Sequence, residues 1–294
     1  MRVFISADME GCTGIVHGDQ LSPGGYDYNR GRELMTGDVV AAAQAALSFE
    51  GVTQVRICDG HGTMRNVLLE RLPTGADLVA GPASSRTLCQ VETLDDGRGD
   101  GRKGDDGAGF DVLMFVGHHA MAGTQNAILP HTWVGSIVAE VSVNGRAFGE
   151  VGLNAAIAGD LGIPAIFVSG DVAACAEART FLGDDLVTVA VKRAVGAKSA
   201  VCLPPRETSE AIRLGVLTAL DETADRKPFR IEGPIDIAVS FHRSEMADRA
   251  LKRPGIERVG RAQVAFQRTT FLEAAREAWA LIEWTAGDQP EWLR

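Results

Sequence analysis

The sequence predicts an α/β fold: a three-layer α/β/α sandwich around a mostly parallel mixed sheet, with a smaller C-terminal α+β portion. Three observations carry this expectation. Apolar strand patterns alternate with helical ones from Arg2 to Val191. The run Asp111 to Val116 (DVLMFV) is apolar enough to lie in a sheet covered on both faces. Beyond Pro204-Pro205 the order changes to helix, strand, strand, helix. A chain of 294 residues accommodates one large α/β domain, or a main domain with an appendage. The expected division is residues 1–203 for the main domain and 204–294 for the smaller portion.

Arg2 to Ala7 reads as a buried strand, and Thr36 to Glu50 as an Ala-rich helix closed by Gly51. Short strands follow at Val55 to Cys58 and Asp77 to Ala80, and Asp111 to Val116 makes a fourth. Ser136 to Phe148 then alternates with period two around Asn144-Gly145, the commonest two-residue hairpin turn. An antiparallel element inserted in the mostly parallel sheet is expected there. Glu150 to Leu161 (helix), Ala165 to Ser169 (strand), Asp171 to Leu182 (helix, with Asp171 as N-cap) and Leu186 to Val191 (strand) complete the main domain. The remainder reads as a helix at Glu207 to Leu220, strands at Ile235 to Phe241 and Arg258 to Gln267, and a helix at Phe271 to Ala286. Thr270 and Glu273 stand at capping-box spacing before that last helix.

Leu94 to Phe110 is almost wholly Gly, Asp, Arg and Lys, which marks a solvated loop or a lid. Its acids lack the every-second-residue spacing of a calcium loop. The formal net charge of −10 argues against general affinity for nucleic acid or anionic membranes. No window approaches the roughly 20 apolar residues of a membrane helix. The five cysteines are odd in number and widely spread, so neither a disulfide framework nor a CxxC zinc motif is read. With no secretory signal pattern at the start, the expected compartment is a reducing cytoplasm.

Ligands of open α/β sheets bind outside the carboxyl ends of the strands. Here those ends read Asp8-Met9-Glu10, Asp59-Gly60-His61 and Gly117-His118-His119. Side chains two apart on extended backbone point the same way, so Asp8 and Glu10 face one site while Met9 turns into the core. Two such carboxylates repel unless a cation lies between them. With imidazoles from neighbouring strands, the donor set suits zinc, and manganese or iron less well. Singly, each residue fits a turn or cap role; their coincidence at three strand ends points to a metal. Gly11 and Gly14 belong to no GxGxxG or Walker pattern, and no GxSxG or Cys beside His offers a covalent nucleophile.

The ordered blocks SADMEGCTGI, MTGDVVAA, CDGHGTMRN, VGHHAMAGT, LPHTW and NGRAFGEVGLNA resemble the zinc-dependent D-aminopeptidases of the DppA type. The resemblance implies a site for two Zn2+ ions held by Asp8, Glu10, His61, His119 and Glu150, with Asp8 bridging. Glu150 enters through the resemblance alone. His131 takes the catalytic role implied for it, either protonating the leaving amine or stabilising the tetrahedral oxyanion. The implied reaction releases an N-terminal D-amino acid, typically D-Ala, from short peptides or amides, and the implied assembly is a ring-shaped homodecamer with an internal chamber. Nothing is carried over beyond Pro205. Asp59 either orients a ligand imidazole or caps a turn. His118 reads as structural, and His17 and His242 as surface or core residues. Two alternatives remain: another metal-dependent amidase or deacylase, and a non-catalytic peptide-binding protein linked to dipeptide uptake.

Overall fold

The computed structural model describes residues 1–82, 88–95 and 109–286. Its first strand, β1 (Arg2–Ala7), lies between β2 (Gln54–Asp59) and β4 (Val112–His118), parallel to both. β3 (Ala76–Val79) extends the sheet on one side, and β7 (Ala165–Asp171), β8 (Val187–Gly196) and β9 (Ser199–Cys202) extend it on the other. The order is β3-β2-β1-β4-β7-β8-β9, with only β9 antiparallel. All seven residues of β4 are buried, as a strand covered on both faces requires.

Alternation along β1 sorts its side chains into two cores. Val3, Ile5 and Ala7 join the cluster formed with α1 (Tyr28–Ser48) and α4 (Pro205–Asp221). Phe4 joins the opposite cluster, with α2 (Glu150–Asp160) and α3 (Val172–Leu182). Sheet and helices thus form the expected sandwich. Asp171 caps α3 by accepting from Ala174 N at 2.7 Å, and Pro205 opens α4 where its missing N–H costs nothing.

The Asn144-Gly145 hairpin forms, as β5 (Val138–Val143) and β6 (Arg146–Phe148), but it does not enter the parallel sheet. It pairs with β10 (Ile235–Phe241) in a second, antiparallel sheet of order β11-β12-β10-β5-β6. The reason lies in its own alternation: Val141 and Val143 are buried while Glu140 is exposed, which suits a sheet with one wet face. The expected strand Arg258 to Gln267 is a hairpin, β11 (Glu257–Gly260) and β12 (Gln263–Arg268). Helix α5 (Ser244–Ala250), too short to show a period, and α6 (Phe271–Ala286) cover this sheet.

The boundary between the sheets does not follow residue 204, since the second sheet takes β5 and β6 from before it and the first sheet's α4 comes from after it. The capping box of α6 is formed: Thr270 N donates to Glu273 Oε2 at 3.2 Å and Glu273 N to Thr270 Oγ1 at 3.3 Å. Helix α1 begins at Tyr28 rather than Thr36, and Gly31, a weak helix former, stands in its first turn for a packing reason. A Cβ there would lie 2.2 Å from Gln20 O, where the preceding loop crosses the helix. Most of the Gly/Asp-rich stretch, residues 96–108, lies outside the described residues.

The turn after β1 is pressed against the end of β4. Asp8 N donates to Val116 O at 2.9 Å and Gly11 N to Gly117 O at 2.7 Å. A Cβ on Gly11 would stand 2.0 Å from His118 O, and Gly14 turns the chain at φ +71°. Gly11→Ala is therefore expected to destabilise the fold by about 1–3 kcal/mol, as overpacking does. Gly18→Ala, where a Cβ meets nothing within 4 Å, should leave the denaturant midpoint unchanged.

Candidate metal centre

The strand order reverses direction between β1 and β4, which places a crevice at their carboxyl ends. Asp8 and Glu10 follow β1, His61 follows β2 and His119 follows β4. Met9 between the acids is buried in the α1 core, so the two carboxylates share the crevice as expected. Glu150 arrives from the first turn of α2, and His131 from the segment joining β4 to β5.

The donors meet. His61 Nδ1 lies 3.3 Å from Asp8 Oδ1 and 2.9 Å from Glu10 Oε2. His119 Nε2 lies 3.4 Å from both Asp8 Oδ2 and Glu150 Oε1. His131 Nε2 stands 3.8 Å from Glu10 Oε1 and 4.0 Å from Glu150 Oε1.

Each imidazole is held by a backbone carbonyl on its far nitrogen. His61 Nε2 donates to Leu21 O, His119 Nδ1 to Ala120 O and His131 Nδ1 to Leu129 O, each at 2.9 Å. The nitrogens facing the carboxylates are thereby left free to ligate in the neutral rings. The rings of His119 and His131 also stack, with centroids 3.8 Å apart.

Three atoms inside this cluster, Asp8 Oδ2, Glu10 Oε2 and His119 Nε2, are buried without a hydrogen-bond partner. Such atoms are costly unless something binds them. Burial alone would raise the Glu10 carboxyl, but His61, His131 and His119 hold it well below the usual carboxylate range. Against the same burial, His119 brings Glu150 down to about 2. Burial lowers His61 and His119, yet Glu10 and Asp8 lift the first and Glu150 and Asp8 the second well above the ordinary imidazole value. A divalent cation would compete with protons for these imidazole nitrogens. Mixed carboxylate and imidazole donors, several of them orphaned, fit zinc.

Support for Glu150 was not evident from sequence. Its Oε1 accepts from Trp133 N and its Oε2 from Gln90 Nε2, both at 2.5 Å, and Asn154 Nδ2 donates to Gln90 Oε1 at 2.6 Å. The Trp133 ring packs edge-on against Trp279 of α6, centroids 5.6 Å apart. The Asn of the GLNA block, four residues on from Glu150 along α2, is the available signal for Asn154; nothing local marks Gln90.

Asp59 caps its turn, accepting from Asn66 N at 2.5 Å, Asn66 Nδ2 at 2.8 Å and Val67 N at 2.9 Å. The His61 tautomer is set by Leu21 instead. His118 is buried, with Nε2 3.1 Å from Ser6 Oγ and its ring edge-on to Phe115, while burial lowers its proton affinity. One of its nitrogens nevertheless lies within 4.8 Å of ligand atoms of Asp8 and Glu150. His17 and His242 are exposed: His17 caps a short turn through Asp19 N, and His242 Nε2 bonds Gly135 O at 3.0 Å.

The peptidase family M55, described as D-aminopeptidase, matches residues 1–280. This chain belongs to that family. The M55 D-aminopeptidases thus include it as an enzyme, a hydrolase acting on peptides, and the non-catalytic alternative gives way. A D-aminopeptidase of Bacillus subtilis (strain 168) is 30% identical over 284 residues, spanning 96% of this chain and 97% of that protein. A solved structure described as the Zn-dependent D-aminopeptidase DppA from Bacillus subtilis, a self-compartmentalizing protease, superposes with a TM-score of 0.89. It is 29% identical and the match covers 99% of this chain and 100% of that one.

A cation held by these carboxylates and imidazoles would relieve the repulsion of the buried acids, so stability should rise with it. Zinc at about 100 times its Kd should raise the thermal midpoint of chelator-stripped protein by about 5 °C. An Asp8→Ala protein should show a much smaller rise.

Proposed function

We propose that this M55 enzyme is a dizinc aminopeptidase releasing N-terminal D-residues, typically D-Ala, from short peptides or amides. One observation supports two ions over one. The two oxygens of Asp8 face different imidazoles, Oδ1 toward His61 and Oδ2 toward His119, so that one carboxylate joins two donor sets. Asp8, Glu10 and His61 would hold one ion; Asp8, His119 and Glu150 would hold the other. Zinc bound there supplies Lewis-acid polarisation of a carbonyl and acidifies water to near neutrality. Zinc as the metal is favoured further by the description of the DppA relative.

His131 is assigned proton transfer to the leaving amine. Its side chain is 26% exposed, against 10% for His61 and 1% for His119, so it is the imidazole of this cluster best placed to meet substrate. Its Nδ1 bond to Leu129 O keeps Nε2 directed at the crevice. The same nitrogen stands 3.8 Å from Glu10 Oε1 and 4.0 Å from Glu150 Oε1, inside the crevice where the leaving amine would form. The neighbouring buried carboxylates also suit capture of the substrate's free α-ammonium group.

The relative's self-compartmentalizing character supports assembly of this chain into a homodecameric ring whose sites face a chamber. Five cysteine thiols suit a reducing cytoplasm, and no helix among the described residues is long and apolar enough to cross a membrane.

The deciding experiment compares D-Ala and L-Ala p-nitroanilides on the zinc-loaded enzyme, with and without chelator. Hydrolysis is expected for the D-substrate and abolished by metal removal; activity on neither, or full activity after stripping, overturns the proposal. By elemental analysis Asp8→Ala should lose both metals. His131→Ala should keep both while kcat falls by about 10²–10⁴-fold. Light scattering should give a native mass near ten times the 31.2 kDa chain.

A further inference from the structure

Lys192 lies in β8, separated from β1 in the sheet by β4 and β7, and is 2% exposed. Its ammonium donates to Glu10 O at 2.5 Å, Cys12 O at 2.7 Å and Ile15 O at 2.6 Å. Three donated bonds require the charged –NH3+ form, because a neutral amine has only two hydrogens. A buried lysine of this kind has no carboxylate partner among its hydrogen bonds; it is spent wholly on the carbonyls of one turn. That turn begins with Glu10.

The opposite edge of the turn is gripped too. Thr13 N donates to Asp38 Oδ2 at 2.8 Å and Thr13 Oγ1 to Asp38 Oδ1 at 2.9 Å, with Asp38 buried in α1. Thr13 Oγ1 also stands 2.8 Å from Thr208 Oγ1 of α4. Between these holds, the backbone of Glu10 has no freedom to swing, and its Oε2 is presented 2.9 Å from His61 Nδ1. The hydrogen bonds of Lys192 reach neither the His119 segment nor the Glu150 segment.

We propose that Lys192 is a positioning residue for one half of the metal centre, fixing the Glu10 carboxylate against His61 by tying down the 10–15 turn. The assignment rests on the two-ion reading above. It places an ammonium group behind the Asp8–Glu10 pair and makes its effect selective. Loss of Lys192 weakens the ion held by Glu10 and His61, and spares the ion held by His119 and Glu150.

The test titrates zinc into chelator-stripped wild type, Lys192→Met and Lys192→Gln, in competition with a chromophoric chelator, with circular dichroism recorded on each. Wild type should bind two ions. Lys192→Met should bind one with unchanged affinity and the other at least tenfold more weakly, with kcat for the D-Ala anilide falling more than KM rises. Lys192→Gln, which returns two donors, should recover part of the lost affinity. A folded Lys192→Met protein that binds both ions as wild type does, or loses both equally, overturns the positioning role alone. So does failure of both variants to fold in saturating zinc, which would make the residue purely structural. A wild type that binds a single ion overturns the two-ion reading and this assignment with it.

Discussion

Three carboxylates, Asp8, Glu10 and Glu150, are buried within a few ångströms of one another, and the rest of the site answers that constraint. Charges of one sign cannot share a dry crevice without compensation. In the metal-free protein the compensation comes from His61 and His119, whose proton affinity the acids raise against the opposing effect of burial. With neutral rings, Asp8 Oδ2, Glu10 Oε2 and His119 Nε2 have no hydrogen-bond partner, a need that a shared cation would meet. Main-chain carbonyls then do the orienting. Leu21, Ala120 and Leu129 each hold one ring nitrogen, which decides where the other nitrogen points.

The fold meets the constraint by converging elements from distant parts of the chain. The reversal of strand order between β1 and β4 opens the crevice, and neighbouring strand ends deliver Asp8, His61 and His119 into it. Glu150 comes from the second sheet's side of the molecule, one residue past the β6 hairpin strand and its Gly149. Its place is held by Trp133 N, while the Trp133 ring leans on Trp279 of the last helix. The C-terminal portion thus buttresses the centre through the Trp133–Trp279 contact and through the packing of α6 on α2.

The parts of the fold that could be read from residues are those with a strong local pattern. β4 is apolar from Val112 to Val116 and buried throughout because both faces are covered, and the Asn144-Gly145 turn specifies its own hairpin. Thr270 and Glu273 announce a helix start that the capping bonds realise. What misled was partnership. The hairpin pattern says nothing of which sheet will receive it, and α5 is too short for a period to emerge. In the site, DxE, DGH and GHH were readable because strand ends are where such residues gather. Glu150 was not readable in that way, since an acid in the first turn of a helix ordinarily serves the helix dipole.

By itself the sequence determined the local alphabet: which runs are strands covered on both faces, where the chain must turn at glycine, and which side chains able to ligate a metal stand at strand ends. These follow from period, burial and backbone freedom, all properties of near neighbours. Only the tertiary structure decided which donors meet. Asp59 became a turn cap because Asn66 and Val67 reach it, and Lys192 became the anchor of the Glu10 turn from 182 positions away. The physical reason is that a buried charge is satisfied by whatever the fold brings within about 3 Å, and that distance has no counterpart along the chain.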